Sequence, residues 1–173
     1  LSFLVDVTSG CAPLTVTLYD ALTIADSIVY DMGDGTVISG SSPVYTYTTP
    51  GDYIITMIAY NDEGCSDTLV FSDTIHVLTQ PHAEFLVDVM EGCSPVIVNF
   101  ANNSYGLINS VFNWDFDDGN SSSSFNATHT YSNPDVYTIT LTVTNDNGCT
   151  DDTVMVDLIE VYDELPPPIT NMF

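Results

Sequence analysis

Tyr30-Asp31-Met32-Gly33-Asp34-Gly35 returns 84 residues later as Trp114-Asp115-Phe116-Asp117-Asp118-Gly119. Both end on Asp-Gly, a pair that readily supplies positive φ in a tight turn, so each marks the reversal between two strands. Working outward, the offset of 84 holds for Tyr47 and Tyr131, Pro50 and Pro134, Tyr53 and Tyr137, Asn61 and Asn145, Gly64-Cys65 and Gly148-Cys149, and Ile75 and Ile159. Toward the N-terminus the offset is 82: Phe3-Leu4-Val5-Asp6-Val7 matches Phe85-Leu86-Val87-Asp88-Val89, and Gly10-Cys11-Ala12-Pro13 matches Gly92-Cys93-Ser94-Pro95. A repeat of this size exceeds one solenoid unit, so each copy reads as a whole small domain in an array. We place the domains at 1–78 and 85–162. The stretch 79–84 reads as a linker, and 163–173 as a C-terminal linker or the start of a following strand.

Within each copy, short runs of Val, Ile, Thr and Tyr alternate with Gly, Pro, Asn and Asp clusters, with no sustained helical period. Strands A to G of the first copy fall at Ser2-Val7, Leu14-Tyr19, Ser27-Met32, Thr36-Ser39, Val44-Tyr47, Asp52-Tyr60 and Thr68-Val77. In the second they fall at Ala83-Val89, Val96-Ala101, Val111-Phe116, Ser121-Phe125, Thr128-Tyr131, Val136-Thr144 and Thr153-Val161. Leu14, Val16 and Leu18 alternate with Thr15 and Thr17, the period of a half-buried strand. In strand F, Ile54, Thr56 and Ile58 share one face, with Ile55, Met57 and Ala59 on the other. Seven short strands with a turn every 8–12 residues indicate an all-β fold of two tandem immunoglobulin-like sandwiches.

The chain has 24 acidic residues, three histidines and no lysine or arginine, for a net charge of -24. It cannot neutralise phosphate backbones, which argues against nucleic-acid binding, and anionic membrane surfaces repel it. No apolar run is long enough to insert in a membrane as a helix. With no Lys or Arg to pair with, each carboxylate must be solvated, hydrogen-bonded or bound to a cation. The chain opens inside strand A and ends on a linker-like Pro-rich segment, which reads as a processed product or an excerpt of a longer array.

Trp114 to Gly119, then His129-Thr130-Tyr131, then Tyr137-Thr138-Ile139-Thr140-Leu141-Thr142-Val143 resemble the polycystic kidney disease (PKD) domain. Its signature is W-D-F-G-D-G, a later H-x-Y and a closing Y-x-V-x-L-x-V. The first copy is similar through Tyr30 to Gly35, Tyr45-Thr46-Tyr47 and Tyr53 to Ile58. Tyr30 departs from the tryptophan and should thin the aromatic plug; Asp117 departs from the first glycine and bears on the turn type. The Gly-Cys-x-Pro and Asn-x-x-Gly-Cys elements resemble the subtype found in secreted and surface proteins of Bacteroidetes. The resemblance implies a seven-stranded sandwich without intrinsic activity, used in surface layers, adhesins and spacers of secreted hydrolases.

Four cysteines allow three pairings. Pairing within each copy is the obvious one, but strand directions place Cys11 at the bottom of its domain and Cys65 at the top. Five or six strand residues separate such ends by roughly 17–20 Å, whereas a disulfide needs Cα atoms within about 7 Å. In an end-to-end array Cys11 faces Cys149, and this inter-domain bridge is the preferred pairing. Cys65 and Cys93 are then left for neighbouring repeats or subunits. The same junction gathers Asp31, Asp34, Asp52, Glu84 and Asp146, candidate oxygen ligands for calcium. Apart from that ion, no cofactor is expected. Ser27, Thr68, Thr74 and Thr153 lie in Asp-Ser/Thr-aliphatic triplets resembling an O-glycosylation pattern of Bacteroidetes; Asn102, Asn120 and Asn126 begin N-x-S/T sequons.

No serine or cysteine pairs with a histidine and an acid in a catalytic pattern, so no enzyme is expected. Two roles compete. One is a structural module at the cell surface or beyond it: a segment or subunit of a fibre or filament, a stalk or a large adhesin. Its partners would be neighbouring copies of itself, surface polysaccharide or other cells. The alternative is a spacer or carbohydrate-binding accessory of a secreted hydrolase, with Tyr19, Tyr60 and Tyr105 as stacking candidates.

Overall fold

The computed structural model describes residues 1–20 and 25–163, and every regular element among them is a strand. The 164–173 part of the C-terminal linker expectation lies outside the described residues. The chain divides into two compact units at the Thr79/Gln80 boundary.

In the first unit, β1 (Phe3–Val5), β3 (Leu14–Asp20) and β6 (Val44–Tyr47) form one sheet, in the order β1-β3-β6. Facing them are β4 (Ser27–Asp31), β5 (Val37–Ser39), β8 (Thr56–Tyr60) and β9 (Ser66–Val70), in the order β5-β4-β8-β9. A third small sheet has β2 (Ser9–Cys11), β10 (Ile75–Leu78) and β7 (Gly51–Tyr53), in the order β2-β10-β7. Strand F is thus β7 plus β8, and strand G is β9 plus β10. The second unit repeats the plan with less interruption. Its first sheet has β11 (Phe85–Val87), β13 (Val96–Asn102) and β16 (Ala127–Tyr131). The other joins β12 (Glu91–Cys93), β18 (Thr150–Tyr162), β17 (Asp135–Thr144), β14 (Val111–Asp115) and β15 (Ser121–Ser122) in that order.

Three features differ from the sequence reading. Strand A does not end at its first pairing. After β1 the chain crosses to the other sheet, where β2 runs parallel to β10, with Leu78 opposite Cys11; β12 does the same beside β18, with Tyr162 opposite Cys93. Cys11 and Cys93 therefore lie at the ends of strands rather than in loops. Strand F breaks at Ile54 and Ile55 in the first unit and bulges between Tyr137 and Ile139 in the second. Residues 82–84 of the expected linker are hydrogen-bonded to the second unit. His82 bridges Tyr105, the Ala83 amide donates to Asp151 (2.8 Å), and the Asn103 amide donates to the Glu84 carbonyl (2.8 Å).

Each core lies between the facing sheets. Val16, Leu18, Tyr30, Tyr47, Ile55, Met57 and Ile75 are buried in the first, and strand F buries Ile55, Met57 and Ala59 while Ile54 is exposed. In the second, Phe85, Phe100, Trp114 and Phe116 form a chain of ring contacts with centroids 5.2–5.6 Å apart. The first unit has Phe3, Leu18, Tyr30 and Met32 there, and only Phe3 and Tyr30 meet as rings, edge-on at 5.4 Å. Trp114 donates its indole N–H to the Ser124 carbonyl (2.9 Å). The Tyr30 hydroxyl, equally buried, has no hydrogen-bond partner among the described residues. An unpaired buried hydroxyl costs about 1–3 kcal/mol in desolvation. Tyr30→Phe is accordingly expected to leave stability unchanged or raise it. Tyr47→Phe, which removes the hydroxyl that donates to the Met32 carbonyl (2.7 Å), should cost about 1 kcal/mol. Urea unfolding of the two variants beside the parent chain checks the contrast.

Candidate functional site

The Asp-Gly turns come first because the tyrosines and His129 gather on them. In the first unit, Asp31 Oδ1 accepts the Gly33 amide (2.9 Å) and Asp34 Oδ1 accepts the Thr36 amide (2.9 Å). In the second, Asp115 accepts Asp117 N–H (3.0 Å) and Asp118 accepts Asn120 N–H (3.1 Å). Side chains two residues before an amide close such turns locally. From the neighbouring strand, Tyr45 donates to Asp34 Oδ2 (2.6 Å), and at the equivalent place His129 Nε2 meets Asp118 Oδ2 (2.7 Å). The His129 ring stacks flat on Phe116, with centroids 4.3 Å apart.

Asp117 keeps the turn that a glycine makes elsewhere: its φ is 63°, against 80° at Gly33. A Cβ at Gly33 would stand 2.6 Å from the Ile54 carbonyl oxygen. In the second unit the bulge in β17 falls at the matching place, and Asp117 Oδ2 accepts the Thr138 amide (3.0 Å). The aspartate thus replaces a close backbone approach with a hydrogen bond. Tyr53 and Tyr137 form the tyrosine corners, donating to the carbonyls of Thr49 (2.8 Å) and Asn133 (2.9 Å).

The cysteine motifs have equally local causes. Asn61 Oδ1 accepts the Cys65 amide (2.8 Å), and Asn145 Oδ1 accepts the amides of Asn147 (3.1 Å) and Cys149 (3.0 Å). Gly64 and Gly148 take the positive φ of these hairpins, at 82° and 80°. The asparagine carboxamide therefore fixes the turn that delivers a cysteine to the start of strand G. At the other end, Gly10 and Gly92 leave room for the first residue of strand B, because a Cβ there would meet Leu14 Cδ1 at 2.7 Å and Val96 Cγ2 at 2.2 Å. Strand β18 alone, from Thr150 beside Cys149 to Tyr162 opposite Cys93, spans roughly 40 Å at ~3.3 Å per residue. That is twice the sequence-based separation and far outside disulfide reach. Each domain thus carries one cysteine at each of two opposite poles. Cys11 and Cys149 are both disulfide-bonded, while Cys65 and Cys93 are free and exposed.

Four of the five acids named for calcium hydrogen-bond through their carboxylates within their own domains. Asp31 and Asp34 hold the turn, Asp52 Oδ1 meets His76 Nδ1 (2.8 Å), and Asp146 Oδ2 accepts from Asn109 (2.9 Å). Glu84 is fastened by its backbone, its amide donating to Ser104 Oγ (3.1 Å). Within either domain, no three His, Cys, Asp or Glu side chains among the described residues gather as metal ligands. Of the hydroxyls named for glycosylation, Ser27 and Thr68 are exposed and Thr74 is half-buried. Thr153, also half-buried, donates to the Ala83 carbonyl.

Two sandwiches with paired Asp-Gly turns, tyrosine corners and a strand A that switches sheets define a tandem immunoglobulin-like module. Residues 8–77 and 79–159 match the model of the PKD domain, and the chain belongs to that family. PKD domains are non-catalytic immunoglobulin-like modules that typically occur in extracellular proteins. Among solved structures, the chain is similar to the PKD1 domain of the Vibrio cholerae metalloprotease PrtV. The identity is 31%, over 47% of this chain and 96% of that one, with a TM-score of 0.41. The PKD1 domain of Vibrio anguillarum Epp is similar at 30% identity, over 48% and 96% of the two chains, with a TM-score of 0.41.

Acid should loosen the second Asp-Gly turn. Burial pushes the Asp118 carboxyl up, but hydrogen bonds from His129 and Asn120 outweigh it and hold it below its ordinary 3.8. A carboxylate whose pKa is depressed by folding adds stability above its unfolded pKa and loses it as pH falls through the folded value. Asp118→Asn is therefore expected to cost about 1–2 kcal/mol at pH 7 and progressively less below pH ~3.8. Thermal unfolding of both proteins from pH 7 to pH 2 reads the convergence. Parallel curves would contradict it.

Proposed function

We propose that this chain is a non-catalytic structural module at the cell surface or beyond it: a segment or subunit of a fibre, filament, stalk or large adhesin. In this reading its two domains are stapled by a Cys11–Cys149 disulfide. The observation that supports it is the placement of cysteines at opposite poles of the same strand in both domains. A pole-to-pole pair is useless for closing a sandwich on itself but suited to joining one sandwich to the next. Cys11 and Cys149 are one of each polar type, and both are bonded. A staple of this kind turns a flexible string of domains into a stiff rod, the mechanical requirement of a stalk or fibre.

Digestion of the unreduced protein with an aspartate-directed protease is expected to release a Cys11–Cys149 peptide. A Cys11–Cys65 peptide would overturn the reading. The Cys11→Ser/Cys149→Ser double variant should keep both domains folded by circular dichroism. Its maximum dimension in small-angle X-ray scattering should broaden as the domains gain freedom.

The accessory-module reading draws on exposed aromatics: Tyr19, Tyr60 and Tyr105 are 48%, 37% and 61% exposed. The Tyr105 ring already packs against His82, tilted by 40° with centroids 4.6 Å apart, which leaves one ring face for a sugar. Co-sedimentation with insoluble polysaccharide, lost in a triple alanine variant of these tyrosines, is the outcome that would favour it over the structural role.

A further inference from the structure

Cys65 and Cys93 are exposed free thiols, and each is the counterpart of a bonded cysteine. Cys65 sits in a hairpin built like that of Cys149, with the same asparagine cap and the same positive-φ glycine. Cys149 is nevertheless bonded and buried, whereas Cys65 is bare. Cys93 lies opposite Tyr162 as Cys11 lies opposite Leu78, and Cys11 is bonded. The bonded set therefore contains one hairpin cysteine and one sheet-end cysteine, and so does the unbonded set.

We propose that these two thiols join copies of this chain head to tail, Cys65 of one copy bonding to Cys93 of the next. The inference rests on the reading that the bonded pair is Cys11–Cys149, since that pair then supplies the pattern of the contact. The surroundings of the two thiols differ. Cys65 borders an open cleft of about 310 Å³ lined by Ala25, Ala59 and Tyr60 together with Asn61, Ser66 and Asp67. Cys93 ends a strand opposite the exposed Tyr162. A hairpin thiol beside a cleft and a sheet-end thiol are different surfaces, so each meets the other rather than its own kind. The contact is heterologous and need not close, so its product is a chain of subunits with a direction.

The bond forms by thiol–disulfide exchange with a small-molecule disulfide as the oxidant. The Cys65 thiolate attacks one sulfur of the oxidant, forming a mixed disulfide and releasing one small thiol. The Cys93 thiolate of the next copy then attacks the Cys65 sulfur and releases the second. Two protein thiols are oxidised, one disulfide is reduced to two thiols, and the two protons pass to the departing thiolates. At a net charge of -24 two copies repel one another, so salt should accelerate the encounter; at 1 M the screening length is about 3 Å.

The test incubates the 173-residue chain with oxidised glutathione in 1 M sodium chloride, followed on non-reducing gels and by peptide mapping. The expected result is a ladder of disulfide-linked oligomers containing a Cys65–Cys93 peptide. Cys65→Ser and Cys93→Ser replace exposed side chains, and each alone should stay monomeric. An equal mixture of the two should stop at a linked dimer. A glutathionylated monomer that never oligomerises would overturn the proposal. So would a Cys65–Cys93 link confined to the monomer, or homotypic dimers in either single variant. The same digest separates this from the parent reading: a Cys11–Cys149 peptide without oligomers defeats only the inference, whereas its absence defeats the stapled module itself.

Discussion

With no lysine or arginine in the chain, a carboxylate that leaves bulk water can be answered only by an N–H, an O–H, a histidine or a metal ion. Among the described residues, several are answered by amides, hydroxyls and histidines. Asp6 and Asp88 accept the amides of Thr17 and Asn99 on the adjoining strand. Asp34 and Asp118 tie the turns after β4 and β14 to the strand beside them, and Asp117 and Asp151 accept amides of Thr138 and Ala83. All three histidines stand next to an aspartate: His76 by Asp52, His82 by Asp151 and His129 by Asp118. In an ordinary protein these acids would be free to drift between cationic neighbours. Here several are fastened to the main chain, so the same acidic groups that give the chain its charge also set its turns.

This explains which parts of the structure were legible from the residues alone. The strands with strict alternation, such as β3 and β13, emerged at nearly their observed bounds because side-chain period and burial are one fact. The Asp-Gly turns were equally plain. The parallel strand Ser9–Cys11 was not, because Ser-Gly-Cys has no β pattern and pairs with residues more than sixty positions away. Just before β11, likewise, nothing in the local sequence shows that Asp151, far along the chain, receives the Ala83 amide.

The candidate site divides in the same way. The exclusion of cysteine pairs within a domain needed only strand directions, and the observed length of strand G strengthens it. The Asn-x-x-Gly-Cys element stood out as a repeated string, but its work was invisible until the carboxamide of Asn61 or Asn145 was found capping the hairpin. The acids named for calcium were chosen by their pole, and some of them also have partners within their own domains. Local donors that a sequence does not rank, such as Tyr45 for Asp34 and Asn109 for Asp146, hold them.

The sheet switch of strand A also decides how a domain answers a pull. β2 follows closely on the first strand, β10 closes the domain, and the two lie side by side in parallel. Tension applied at the two chain ends therefore drags these neighbours past one another along their length. Their hydrogen bonds must fail together, since none can be unzipped ahead of the rest.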